Sequence, residues 1–151
     1  MTTGRVTSPI VEAERAILAL LERLRRAHRD KDATAIVACY SATAVVCDLA
    51  PPLSHCGIDL IEEQSWLDSW DGPIALEPHG GSLTVDGGLA VYRGCTRLSG
   101  IKRPAGTPVS FWKRDTFCLR RDDAGWHIQH HHTAVPLYMD GSLRPAFDLT
   151  P

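Results

Sequence analysis

No stretch of the 151-residue chain approaches the roughly 20 consecutive apolar residues that a membrane-spanning helix requires, and the longest candidate, Ala33 to Ala44, is broken by polar side chains. The opening segment, Met1 to Pro9, lacks the apolar core of a signal peptide, so a cytoplasmic location is expected. Cys-x-x-Cys spacing is missing as well. Cys39, Cys47, Cys56, Cys95 and Cys118 are odd in number and scattered, which suits reduced thiols packed as small hydrophobes and argues against structural zinc. Nor is there an excess of one charge: 16 Lys+Arg against 18 Asp+Glu leave a net −2. The one dense basic cluster, Arg23, Arg25, Arg26 and Arg29, reads as the solvated end of a helix, so nucleic acid is not an expected partner. With 44% hydrophobic and 23% charged residues, disorder and collagen-like repeats are excluded.

What remains is enough chain for one domain that buries roughly 70% of the surface its unfolded form exposes. Seven histidines are the unusual count, and four lie in Trp126-His127-Ile128-Gln129-His130-His131-His132.

Ser8-Pro9 reads as an N-cap followed by proline in the first turn, and the apolar residues Ile10, Ala13, Ile17, Leu20, Leu21, Leu24 and Ala27 recur at helical spacing. Asp32 is placed to cap a second helix over Ala33 to Tyr40. Thr43 to Asp48 is rich in β-formers and stops at Leu49-Ala50-Pro51-Pro52. Ile58, Ile61, Trp66, Leu67 and Trp70 predict a third helix closed by Asp71-Gly72-Pro73. Strands follow: Pro73 to Asp86, a turn at Gly87-Gly88, Leu89 to Ser99, a loop to Gly106, Thr107 to Arg121, a turn, and Trp126 to Val135. The tail, 136–151, reads as irregular. Helices first and long strands after predict an α+β fold in which a curved antiparallel sheet wraps around N-terminal helices as a cone, with a small-molecule site inside.

Three strings carry a family resemblance: Lys31 to Asp48, His55-Cys56-Gly57-Ile58-Asp59-Leu60-Ile61, and Gly125 to Pro136. In their order and spacing they resemble the nuclear transport factor 2-like superfamily, and within it the SnoaL-like and ketosteroid-isomerase-like proteins. The resemblance covers about residues 10–138 of a single domain, 1–151. It implies a cone fold and a small apolar ligand, and it is compatible with isomerases, cyclases, dehydratases and non-catalytic modules that dimerise through the outer sheet face.

Asp48, at the end of an apolar strand, matches by resemblance the general base of ketosteroid isomerases; its structural alternative is to cap the proline turn that follows. The oxyanion donors of those enzymes fall near Leu24 and Phe117, which cannot donate, so other donors are needed. Strand alternation puts Trp126, Ile128, His130 and His132 on one face, and the face with Trp and Ile should be buried, so His130 and His132 are expected inside the cone. On the preceding strand Trp112, Arg114 and Thr116 share one face and Phe111, Lys113, Asp115 and Phe117 the other. Alternation leaves that choice open, and resemblance to a Trp-x-Arg-x-Thr string favours the first set inward. Arg114 then either stabilises an enolate or pairs with Asp48 or Glu77 in an internal network. Tyr92, Trp66, Trp126 and Tyr138 complete the expected substrate contacts, each with core packing as its alternative.

A metal would need a third ligand beyond His130 and His132, and nothing in the spacing of Asp48, His55, His79 or Asp115 supplies it; neither metal nor cofactor is expected. His130-His131-His132-Thr133-Ala134 is also similar to the His-His-His-Ser-Ser motif of iota-class carbonic anhydrases. The expectation is thus an enzyme of acid/base proton transfer on an apolar carbonyl compound, with Asp48 as base, His130 or His132 as acid and Arg114 at the oxyanion. The alternatives are a ligand-binding or dimerisation module and a carbonic-anhydrase-like or metal-dependent activity.

Overall fold

A computed structural model describes residues 8–151. Helix α1, Pro9–Asp30, buries the expected stripe of Ala13, Ile17, Leu20, Leu21, Leu24 and Ala27. Ser8 occupies the N-cap without a side-chain bond; its carbonyl accepts the Glu12 N–H at 3.1 Å. Helix α2, Ala33–Val37, is capped as expected by Asp32, whose Oδ1 accepts the Ala35 N–H at 2.9 Å. It is three residues shorter than the spacing predicts. Immediately after it the Cys39 carbonyl accepts the Ile128 N–H at 2.9 Å and draws the chain into the sheet, so Tyr40 opens strand β1, Tyr40–Cys47. A short strand β2, His55–Cys56, precedes helix α3, Leu60–Asp68, which Asp59 caps by accepting the N–H groups of Ile61 and Glu62, both at 2.9 Å.

Four long strands follow: β3 Trp70–Asp86, β4 Leu89–Lys102, β5 Thr107–Asp122 and β6 Gly125–Ala134. They complete a six-stranded open sheet in the order β2-β1-β6-β5-β4-β3, antiparallel except where β1 runs parallel to β6. Helices α1 and α3 lie on its concave side, and Ile17, Leu20, Leu21 and Leu24 meet Ile74, Leu119, Trp126 and Ile128 in a continuous core. No described helix is long and apolar enough to cross a membrane.

The register slips at four places in the sheet, two of which bear on the site. In β3 the register slips between His79 and Ser82, where Gly80 has φ +63° and the ring of Tyr92 occupies the space that a Cβ on Gly81 would need. In β6 the slip falls at Gln129: Leu119 pairs with Ile128, but the next residue, Cys118, pairs with His130. This bulge overturns the orientation expected for the histidines. Trp126 and Ile128 are buried as alternation requires, but the extra residue shifts the phase, so His131 and Thr133 turn inward and His130 and His132 turn outward. Pairing carries the phase into β5, where Phe117 and Asp115 face His131 and Thr133, while Thr116 and Arg114 face His132 and Ala134. Lys113, Asp115, Phe117 and Leu119 are therefore the inward set, and Trp112, Arg114 and Thr116 lie on the convex face.

After β6 the tail doubles back: Leu137 bridges Pro145, the Tyr138 N–H donates to the Arg144 carbonyl, and Ala146 is buried. Phe147 lies 4.5 Å, centroid to centroid, from Phe111, which packs against the inward core.

Candidate active site

The inward face of β5 and β6 carries a chain of four polar groups in the low-dielectric interior. Lys113 Nζ donates to both carboxylate oxygens of Asp115, at 2.6 and 2.7 Å, and to Thr133 Oγ1 at 3.2 Å. Asp115 Oδ1 also accepts from His131 Nε2 at 3.0 Å, and the other ring nitrogen, Nδ1, meets the Tyr40 hydroxyl at 2.9 Å. These bonds define the protons. An ionised Asp115 can only accept, so His131 carries its proton on Nε2 and Tyr40 donates to Nδ1. The imidazole stacks on Phe117, ring centroids 4.0 Å apart, which fixes its plane.

Burial by itself would raise the Asp115 pKa, but the bond from His131 and the charge of Lys113 overcome it and hold the carboxyl well below the ordinary range. Burial lowers the pKa of His131 against the opposing bond and charge of Asp115, so the ring rests neutral. Burial, followed by the charges of Glu63 and Asp115, pushes the Tyr40 phenol well above its ordinary value. The resting chain is carboxylate, neutral imidazole, neutral phenol. It resembles a triad in its logic: a proton arriving at the Tyr40 oxygen can be balanced by passing the phenolic proton to His131, whose imidazolium Asp115 stabilises.

Helices close the other side. His28, one turn beyond Leu24 on the buried stripe of α1, donates from Nδ1 to the Leu24 carbonyl at 2.8 Å. Glu63 of α3 shares a face with buried Leu67 and sets Oε1 3.9 Å from His28 Nε2. Burial pushes Glu63 up to about 7, aided by the charge of Asp48 and opposed by His55. Burial lowers His28 to about 4, with the bond to Leu24 opposing and the charges of Lys113 and His131 reinforcing. Side-chain exposure separates access from support: His131, His28 and Glu63 retain 13%, 15% and 20%, whereas Asp115 and Lys113 retain 3% and 9%.

The expected site residues scatter around this cluster. Asp48 lies exposed just past β1, its Oδ1 accepting the Leu49 N–H at 2.7 Å, the turn-capping geometry; its charge still reaches Glu63, His28, Tyr40 and His131. His130 bonds the Val45 carbonyl through Nδ1 at 2.9 Å on the convex face, and its ring is 6.4 Å from that of His132. Arg114 is exposed there, Thr116 is opposite Arg93, and Trp112 packs edge-on to His79 at 5.7 Å with the Arg97 guanidinium 6.0 Å away. Four of the expected contacts keep other company. Tyr92 is buried beside Phe117, Trp126 is core, and Trp66 packs against His28 and Trp70 at 6.1 and 5.7 Å. Tyr138 donates to Asp148 at 2.7 Å within the tail, beside a hollow of about 440 Å³ lined also by Asp140, Arg144 and Phe147. A second hollow, about 540 Å³, opens on the outside of α2 and α3 between Thr34, Leu60, Ile61 and Gln64. Among the described residues, no group of three or more His, Cys, Asp or Glu is placed to hold a metal ion.

Comparison with known proteins agrees with this architecture. The family model of the SnoaL-like domain matches residues 17–138. A crystal structure of an NTF2-like protein of unknown function from Pseudomonas putida is similar, with a TM-score of 0.82 and 26% identity over 93% of this chain and 98% of that one. An NTF2-like family protein from Streptomyces avermitilis with a provisional dehydratase assignment has a TM-score of 0.74 at 14% identity, covering 87% of this chain and 100% of its own. A Shewanella frigidimarina protein with a provisional ketosteroid isomerase assignment has a TM-score of 0.60 at 13% identity, covering 77% and 92%. The last two likenesses show the fold alone. No curated protein matches the chain.

Proposed function

The chain belongs to the SnoaL-like domain family, and from that membership we propose that it is an enzyme of acid/base proton transfer on a small apolar carbonyl compound. One observation carries the proposal: the buried chain Asp115, His131, Tyr40, which ends in a phenol hydrogen-bonded to a neutral, carboxylate-held imidazole at 2.9 Å. Tyr40 takes the proton from the carbon next to the carbonyl as its own proton moves to His131 Nδ1. Asp115, fixed by Lys113, stabilises the imidazolium that results.

The enolate oxygen needs a donor. All three Nζ hydrogens of Lys113 are engaged by Asp115 and Thr133, but the Thr133 hydroxyl accepts from Lys113 and keeps its own proton, which makes it a polarised donor on the inward face. In this reading Asp48 caps the turn that follows β1 and is not the base. The provisional dehydratase and isomerase assignments of two fold relatives belong to the same class of chemistry.

The test is solvent-deuterium exchange at the carbon next to the carbonyl in a panel of apolar ketones, followed by proton NMR. Wild-type protein should catalyse exchange, and Tyr40→Phe should slow it by about 100-fold or more. Binding without exchange would instead identify a ligand-binding module, and exchange undiminished in Tyr40→Phe would remove the phenol from the reaction. We also propose a homodimer through the convex face, where exposed Val45 and Val91 lie in one row with His130 and Cys118. Light scattering that reads a monomer would dismiss it.

A further inference from the structure

The interior holds a second proton-handling pair that the exchange reaction does not require. Glu63 Oε1 and His28 Nε2 are 3.9 Å apart, beyond a direct hydrogen bond. The bond from His28 Nδ1 to the Leu24 carbonyl at 2.8 Å commits that nitrogen as donor and leaves Nε2 with a lone pair facing Glu63. Glu63 is set by helix α3 and His28 by α1, so the two side chains face each other across the junction of two rigid elements. A single oxygen at about 2.8 Å from both would see them at an angle of about 90°. To satisfy both, that oxygen must donate to His28 and accept from a protonated Glu63. A carbonyl oxygen can only accept and an ammonium can only donate; a hydroxyl, of a substrate or of water, does both.

Resting on the proton-transfer reading above, we propose that Glu63 and His28 hold the hydroxyl of a β-hydroxy carbonyl substrate, and that Glu63 supplies the proton with which it leaves as water. The pair faces the same interior as Tyr40 and His131: α1 packs against β6 and α3 against β3, and the charges of Glu63 and His131 bear on Tyr40 and His28. Trp66, edge-on to His28 at 6.1 Å, provides an apolar wall beside the hydroxyl. The remaining groups that bear on Glu63 are Asp48 beyond β1 and His55 of β2, the first favouring its protonated form and the second opposing it.

The elimination balances within the site. The carbon–hydrogen bond next to the carbonyl breaks with its proton going to the Tyr40 oxygen, and the phenolic proton moves to His131. The electron pair forms the carbon–carbon double bond, the bond to the hydroxyl breaks, and the departing oxygen takes the Glu63 proton. Products are the conjugated enone and water. His131 has gained a proton and Glu63 has lost one, and exchange with solvent restores both.

The experiment compares two probes: a phenyl-substituted β-hydroxy ketone, whose dehydration product absorbs in the near ultraviolet, and the same ketone without the hydroxyl, followed by deuterium exchange. Wild type should dehydrate the first and exchange the second. Glu63→Gln, nearly isosteric, should slow dehydration about 100-fold or more while exchange falls less than about tenfold; Tyr40→Phe should abolish both. Dehydration by wild type should decline as pH rises through about 7, where Glu63 loses its proton, and Glu63→Gln should lack that limb. Dehydration by Glu63→Gln at the wild-type rate, or wild-type exchange without dehydration, overturns the assignment. Absence of both reactions in wild type overturns the reading beneath it and takes this one with it.

Discussion

The two faces of one sheet, two residues apart in sequence at most, behave as different materials. On the convex side of β5 and β6, Arg114, Thr116, His130 and His132 stand in or near solvent with few partners. On the concave side, Lys113, Asp115, His131 and Thr133 are enclosed and bonded to one another, and Asp115 and His131 titrate below their ordinary values. Residue types are nearly the same: a cation, a hydroxyl and histidine on each. What separates a solvated surface from a proton relay is burial with a matched partner, and one extra residue at Gln129 decides which histidines receive it.

The largest expected contrast is in stability. Asp115→Ala should destabilise the fold by about 3–5 kcal/mol, because it leaves Lys113 charged and unpaired in the interior. Arg114→Ala, one residue away on the outside, should stay within about 0.5 kcal/mol. Chemical denaturation measures both, and similar values for the two would erase the distinction between the faces.

Next comes activity on the exchanging ketone. The double variant His130→Gln/His132→Gln should keep the wild-type exchange rate within about threefold, whereas His131→Gln should lower it about 100-fold or more. The opposite ranking would restore the orientation that plain alternation predicts.

The smallest effect is in the pH dependence of stability. His28 falls from 6.5 unfolded to about 4 folded, so the unfolded chain binds more protons and this group makes stability rise as pH climbs from 4 to 6.5. Glu63 rises from 4.5 to about 7, so the folded chain binds more and stability falls from pH 4.5 to 7. The two nearly cancel in wild type. Glu63→Gln should expose the His28 rise, reinforced by the lowered His131, and His28→Gln should expose the Glu63 fall, each on the order of 2 kcal/mol. Melting curves that move in parallel with pH in all three proteins would show that the pair is not titrating as described.

The fold was largely legible in the sequence. The stripe from Ala13 to Ala27, the Asp32 cap, the Gly87-Gly88 turn and the long C-terminal strands all appear where spacing and turn chemistry put them. The site was not, for two physical reasons. Period-2 alternation holds only on a regular strand, and a bulge leaves no mark in composition: Gln129 is an ordinary residue, and its phase shift shows only once β5 is laid beside β6. The other reason is that the partners come from distant elements. Tyr40 and His131 are 91 positions apart, and His28 and Glu63 meet only because α1 and α3 pack on one concavity. Two signals were present in the chain. His28 extends the apolar stripe of α1 four residues past Leu24, and the face with Lys113 and Asp115 is bracketed by Phe111 and Phe117, as a buried ion pair requires.

The relay depends most on the protonation of one ring. Long-range nitrogen–proton correlation NMR on histidine-labelled protein reads the tautomer and charge of His131 directly. At neutral pH it should be a neutral imidazole carrying its proton on Nε2, with the Nε2–H protected from solvent, and Asp115→Asn should release that tautomer. An imidazolium at neutral pH, or a proton on Nδ1, would contradict the relay from Asp115 to Tyr40.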